Sequence, residues 1–278
     1  MISALALGGL PEIEPGLDLG AAISTALAQM PVPDPPWGPA FGGHVAAEGT
    51  PGARKPVPEQ IRAGDVLVVA HKAISKSEGR LRSLTDIRPG PDALRLTAEQ
   101  DKDPRHVQAV LDEAREIVRA GHGVLIVETE HGFVCANAGV DASNVPGDEL
   151  LVLLPVDPDA SARALRARLR ELTGVAPGVV VTDSFGRAWR MGQCDVAIGC
   201  AGIRALEDWR GRPDAGGREL RATAIAVADE LAATADLARR KDSREPVVLI
   251  RGAERHVTDE DGPGVAPLIR PRDQDLFR

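Results

Sequence analysis

The sequence predicts an α/β fold of mixed α+β character, and three observations carry that reading. Short runs of β-branched and other apolar residues recur along the chain, amphipathic helical stretches stand between them, and Gly or Pro marks many of the joins. Loose alternation of this kind separates an α/β protein from an all-α or all-β one, but it leaves open whether the sheet is parallel.

In chain order, Leu10-Pro-Glu-Ile13 reads as a turn or the entry to a strand. Eight prolines (Pro31, Pro33, Pro35, Pro36, Pro39, Pro51, Pro56 and Pro58) then fall between Met30 and Ile61. Such a stretch resists helix and central strand alike, so an insertion at about residues 31–60 reads as a long surface loop or a poorly ordered segment. Asp65–Ala70 is a short buried strand by its β-branched run. Pro104–Ala120 fits an amphipathic helix, with Val107, Val110, Leu111, Ala114, Ile117 and Val118 at helical spacing and Gly121 as its stop. Gly123–Glu128 and Leu150–Leu154 are further strands. Asp159–Leu172 is a helix with Leu165, Leu169 and Leu172 on one face and Gly174 just past its end. Val179–Thr182 is another buried strand, Thr223–Ala238 mixes strand and helix, and Val247–Arg251 is a late strand.

The length of 278 residues allows one large domain or two modest ones with a real core. Apolar residues make up 43% and charged residues 27%, as in ordinary soluble proteins. The net charge of −8 argues against nucleic acid or an anionic membrane as the main partner, though it leaves room for phosphate ligands held by a few local cations. No apolar run has the length of a membrane span, and the N-terminus lacks the basic start of a signal peptide, so a cytoplasmic protein is expected. Cys135, Cys194 and Cys200 form no CxxC pair and read as inert thiols, and the six histidines never fall at metal-ligand spacing.

Walker A, GxGxxG and GxSxG patterns are absent, which directs attention to polar residues at the ends of apolar strands. The segment Cys135–Gly147 packs Asn137, Asp141, Ser143 and Asn144 into one turn-prone loop, suited either to a hard cation or nucleotide or to plain Asx turns. Asp183 follows directly on a buried strand, where an unpaired carboxylate is costly; a metal ion, Arg187 or Arg190 would relieve it, and Ser184 supplies a hydroxyl beside it. Lys72, Lys76 and Arg80 lie just past the Asp65–Ala70 strand, as a phosphate grip or a solvated basic edge.

Taken together, these segments resemble the F420 gamma-glutamyl ligase family, which joins L-glutamate to coenzyme F420-0. The matching pieces are Gly9–Gly16, Gly64–Val69 with Ile74-Ser-Lys76 and Glu78-Gly-Arg80, Phe133–Pro146, Thr182–Arg190 and Val227–Ala232, in the family's order. The Asn137-Ala-Gly-Val-Asp-Ala-Ser-Asn144 block is long and specific. The resemblance implies a two-lobed ligase domain over residues 1–252 and a C-terminal tail over 253–278, whose end resembles the linker that leads, in two-domain relatives, into a nitroreductase-like domain. It further implies GTP as co-substrate, a phosphorylated carboxylate as intermediate, Mg2+ or Mn2+ as the divalent ions with K+ as an additional cation, and a homodimer. Asp141 and Asp183 match the family's metal-binding aspartates, and Ser184 a second-metal ligand that is usually Thr. Leu10, Pro11, Glu12, Ile13, Lys76 and Asn144 match nucleotide-contacting positions, and His71 and Lys72 occupy two more whose residue type varies. With Arg187, Asp141 and Asp183 form the expected catalytic set.

Two segments depart from the pattern. Many relatives carry a glycine-rich loop that contacts the nucleotide and supplies an acidic metal ligand. Here Ala238–Pro246 has no glycine and puts Lys241 near the acidic position, while Asp214-Ala-Gly-Gly217 stands for the usual Asp-x-Tyr-Gly. These departures keep two alternatives open: a paralogous ligase for another acid or amine, and a non-catalytic nucleotide-binding protein.

Overall fold

A computed structural model describes residues 1–30, 61–98, 102–143 and 149–277. The Pro-rich insertion and Asn144 lie outside the described residues. Its elements in chain order are β1 (Ser3–Ala6), α1 (Leu19–Gln29), β2 (Val66–Ala70), α2 (His71–Ser77), β3 (Leu81–Ser83), α3 (Pro91–Ala98), α4 (Pro104–Asp112), β4 (Ala114–Gly121), β5 (Val124–Thr129), β6 (Val134–Ala136) and β7 (Leu150–Val152). They continue with α5 (Pro158–Thr173), β8 (Gly178–Arg187), β9 (Arg190–Ala201), β10 (Glu207–Asp208), β11 (Ala224–Ile225), α6 (Val227–Ala238) and β12 (Val247–Arg251).

The main sheet has the order β1-β12-β2-β8-β9. Only β2 and β8 run parallel; the other neighbours are antiparallel, so the sheet is mixed. Val66–Val69, Val179–Val181 and Val247–Ile250 are fully buried, as their unbroken apolar runs require of strands covered on both faces. Helix α5 closes against this sheet with clear punctuation: Asp157 accepts from Ala160 N at 2.8 Å, Pro158 opens the first turn, and Gly174 ends it at φ 75°.

A second core of Leu84, Ile87, Val107, Val110, Leu125, Val127, Val140 and Leu151 gathers α3, α4, the β4-β5-β6 sheet and the β3–β7 pair into a smaller lobe. Here one expectation fails. The helix expected over Pro104–Ala120 ends at Asp112, and Ala114–Gly121 forms β4, paired antiparallel with β5. The apolar spacing of the first half is helical, and Val107, Ala109 and Val110 are buried. Beyond Glu113, however, Ala114, Val118 and Ala120 fit a period of two as well as a helix, and Ile117 and Val118 both prefer extended backbone. Pairing with β5 decides the matter, and Ile117 stays 39% exposed, which a core-facing helical position would not. After β12 the chain continues in short 3-10 turns with Ala253, His256 and Val265 buried, so the stretch following residue 252 is packed onto the larger lobe at least that far. Among the described residues no helix is long and apolar enough to cross a membrane.

Candidate active site between the lobes

A cavity of about 1050 Å³ opens where the lobes meet, and its walls come from five remote stretches of chain. The first is Leu10–Ile13, which follows β1 after Gly9 takes the positive φ of 78° that turns the chain. Glu12 Oε1 lies 3.2 Å from Lys76 Nζ, tying this wall to α2.

The second stretch begins where α2 starts directly at the end of β2. That junction sinks His71 to 2% exposure and turns Lys72 and Lys76 into the cavity. His71 Nδ1 is 3.3 Å from Ser75 Oγ, and its Nε2 is 3.3 Å from Asp183 Oδ1. The latter approach lacks hydrogen-bonding geometry, so Nε2 is a buried nitrogen with no hydrogen-bond partner, aimed at a carboxylate.

The smaller lobe supplies the third wall through Asp141 and Ser143. Asp141 Oδ2 pairs with Lys72 Nζ at 2.7 Å, Asp141 Oδ1 accepts from Ser143 N at 2.6 Å, and Lys72 Nζ donates to Ser143 Oγ at 2.6 Å. Burial pushes the Asp141 carboxyl up, but Lys72 and Ser143 outweigh it and hold it below the usual carboxylate range.

The β8–β9 hairpin forms the fourth wall. Register places Ser184 opposite Asp195, and Ser184 Oγ donates to Asp195 Oδ1 at 2.6 Å while Thr182 Oγ1 donates to Asp195 Oδ2 at 2.9 Å. The fifth wall is the segment after α6. Arg239, itself only 8% exposed, puts Nη2 on both Asp195 Oδ2 and Thr182 Oγ1 and Nη1 on Pro246 O. Lys241 Nζ donates to Ser184 Oγ at 3.0 Å and lies 3.7 Å from Asp195 Oδ1. Burial raises the Asp195 carboxyl, yet Arg239, Ser184, Thr182 and Lys241 together carry it below its ordinary value.

Of the residues expected in the site, Leu10, Pro11, Glu12, Ile13, His71, Lys72, Lys76, Asp141, Asp183 and Ser184 all line this one cavity. Arg187 does not; it sits near the tip of the β8–β9 hairpin and donates to Met191 O at 2.7 Å. Sequence reading missed Asp195, Thr182, Gln193, Arg239, Arg240 and Arg244, which also line the cavity. Only the odd composition of Ala238–Pro246 hinted at the last three. Cys135 stands apart from this chemistry: burial and then the Asp183 charge push its thiol up to about 12, so it stays protonated.

In a chain of net charge −8, this cavity is lined by six Lys and Arg side chains against five Asp and Glu. That local balance suits a polyphosphate better than the protein's overall charge does. Asp141 and Asp183 present hard oxygen donors to the cavity from the two lobes, with one lysine and one histidine beside them, the donor chemistry a divalent cation takes. The Ser184–Asp195 corner is different, because both Asp195 oxygens are already engaged and two cations stand on them. Among the described residues, no three His, Cys, Asp or Glu side chains are grouped to share a metal ion.

The family model described as F420-0:Gamma-glutamyl ligase matches residues 9–252. A protein of Methanothermobacter thermautotrophicus named Coenzyme F420:L-glutamate ligase is 46% identical over 221 residues, 79% of this chain and 87% of its own length. Proteins with the same name from Methanopyrus kandleri (47% over 221 residues, 79% and 87%) and Methanocaldococcus jannaschii (46% over 219 residues, 78% and 86%) are similarly related.

Proposed function

The chain belongs to the F420-0:gamma-glutamyl ligase family, and from that premise we propose that it is a GTP- and divalent-metal-dependent amide ligase that adds L-glutamate to coenzyme F420-0. The observation that carries the reading is the convergence on one cavity of Leu10–Ile13, His71, Lys72, Lys76, Asp141, Asp183 and Ser184, segments that lie far apart in sequence.

In the proposed reaction the γ-phosphoryl group of GTP passes to the carboxylate of the acid, giving an acyl phosphate and GDP. The glutamate amine then attacks the acyl carbon, the amide bond forms, and inorganic phosphate leaves. GTP and the carboxylate are both anions, so their encounter needs fixed positive charge. Lys72 and Lys76 on α2 and the basic segment after α6 supply it from two walls of the cavity. Asp141 and Asp183 would hold Mg2+ or Mn2+, whose chemical contribution is to neutralise charge on the transferring phosphoryl group. Leu10, Pro11 and Ile13 offer an apolar wall against which a purine ring can lie, and Asn144 remains a candidate nucleotide contact by resemblance. Holding the acyl phosphate next to the amine in the cleft would favour aminolysis over hydrolysis. A bound K+ and a homodimer are further parts of the proposal, the dimer tested by light scattering on the full chain.

The deciding experiment is phosphate release from GTP with Mn2+ or Mg2+, with and without F420-0 plus L-glutamate, and with Asp183→Asn as control. Release that needs both substrates, fails in the variant and yields product heavier by one glutamyl unit establishes the ligase. Release with a different acid or amine would move the assignment to a paralogue, a reading that the Arg239–Arg244 segment favours. GTP binding without any release would leave a binding protein.

A further inference from the structure

Asp195 is the most deeply buried carboxylate in the cavity wall, at 2% exposure, and its four partners come from two stretches, β8 and the segment after α6. Arg239 is held in place from two directions, by Asp195 and Thr182 on one nitrogen and by Pro246 O on the other, so its guanidinium is a built part of the wall. Lys241 is its solvent-exposed counterpart. At 71% exposure it spans Asp236 Oδ1 at 2.9 Å, Ser184 Oγ at 3.0 Å and the far side of Asp195. Counted locally, two carboxylates (Asp195 and Asp236) face two cations (Arg239 and Lys241), which leaves no charge to attract a divalent ion. At Asp141 and Asp183, by contrast, two carboxylates face one lysine and one histidine, with no arginine on either of them. Ser184 also has its hydroxyl proton committed to Asp195 and its oxygen accepting from Lys241, so its lone pairs are not set toward an ion.

We infer that Arg239 and Lys241 are the resident cations of the Ser184–Asp195 corner and exclude a divalent ion from it, so that the site takes one divalent ion, at Asp141 and Asp183. In this arrangement Asp195 is a positioning residue, which orients Arg239 and the Ser184 hydroxyl and binds no metal. Arg239 and Lys241 face the cavity as permanent charges for phosphate oxygens, and Lys241 can exchange Asp236 and Ser184 for a ligand because it lies on the surface. The inference rests on the nucleotide-and-metal reading proposed above and deepens it.

The test counts Mn2+ bound per full-length chain by electron paramagnetic resonance of the unbound ion, with GDP saturating, in wild type and in Lys241→Glu. The substituted side chain is exposed, so the variant is expected to fold, and its melting temperature checks this. One Mn2+ in wild type and two in Lys241→Glu is the expected result, since the exchange turns the local balance from neutral to strongly negative. Two in wild type overturns the inference and leaves the ligase reading intact. One in both proteins overturns the part assigned to Lys241. Failure to bind GDP or Mn2+ at all overturns the inference together with the reading beneath it, and so is distinguishable from the other outcomes.

Discussion

The Arg239–Asp195 pair is the clearest case in which a single side chain decides more than its own contacts. Both partners are buried, at 8% and 2% exposure, so removing one leaves the other as an uncompensated charge in a poorly solvated wall. Asp195→Asn keeps the shape and removes the charge, and it is expected to lower stability by about 3 kcal/mol, read as a lower urea midpoint at unchanged slope. The pH dependence follows from the lowered carboxyl of Asp195. A carboxylate whose folded value lies below its unfolded one contributes stability that is fully present above about pH 4 and is lost as pH falls through the folded value. The gap between wild type and Asp195→Asn is therefore expected to be widest near neutrality and to close on acidification. A gap that stayed constant down to pH 2 would refute the ionic account. Asp195 was illegible in the sequence for a physical reason. It is a lone acid in Gln193-Cys194-Asp195-Val196, and its partner lies 44 residues away, joined to it only by the packing of α6 beside β9. Asp141 and Asp183 were legible because turn-prone or strand-end carboxylates announce a cost that something must offset.

At the scale of elements, close approach of helix to sheet fixes positions that no propensity marks. A Cβ added at Gly199 in β9 would stand 2.4 Å from the backbone carbon and oxygen of Pro158, at the start of α5. Backbone atoms at a capped helix terminus cannot step aside as a flexible side chain can. Gly199→Ala is thus expected to cost roughly 1–3 kcal/mol, whereas Gly121→Ala at the end of β4, with nothing within 4 Å of the new Cβ, should change stability by at most about 0.5 kcal/mol. Urea unfolding of the two variants side by side checks this, and equal costs would rule out the steric account. The same scale shows where sequence reading holds. Val247–Arg251 and the helix through Asp159–Leu172 are read with sound bounds, because an unbroken β-branched run and a Pro–Gly frame around an amphipathic stretch each have one interpretation. Helix α1 goes unread because its alanines, Ile23 and Leu27 follow a region of turns and run into prolines. Ala114–Gly121 is misread because local spacing permits two periods and only the β5 partner chooses between them.

For the whole molecule, the two cores put the cavity at the boundary between two packed units. Lys72 follows β2 of the main sheet, and Asp141 belongs to the smaller lobe, so their 2.7 Å pair crosses the boundary. Arg80 crosses it again, donating to Leu154 O at 2.9 Å and to Glu113 Oε2 at 2.7 Å. A nucleotide with its cation, gripped from both sides, would bind only the chain with its lobes correctly opposed and would stabilise that state by mass action. At about 100 times the dissociation constant the gain is about 2.7 kcal/mol. In a chain of this size that corresponds to a rise in melting temperature of roughly 5–10 °C. GDP with Mn2+ is expected to produce such a shift in thermal unfolding. Asp141→Asn is expected to lose most of it while melting within a few degrees of wild type without ligand, because Asp141 is 40% exposed and its pair with Lys72 is partly solvated. A full shift in Asp141→Asn would mean that the larger lobe alone holds the nucleotide and its ion. The smaller lobe would then be left with the acid substrate and the glutamate, and the ion would have to rest on Asp183 without help from across the cleft.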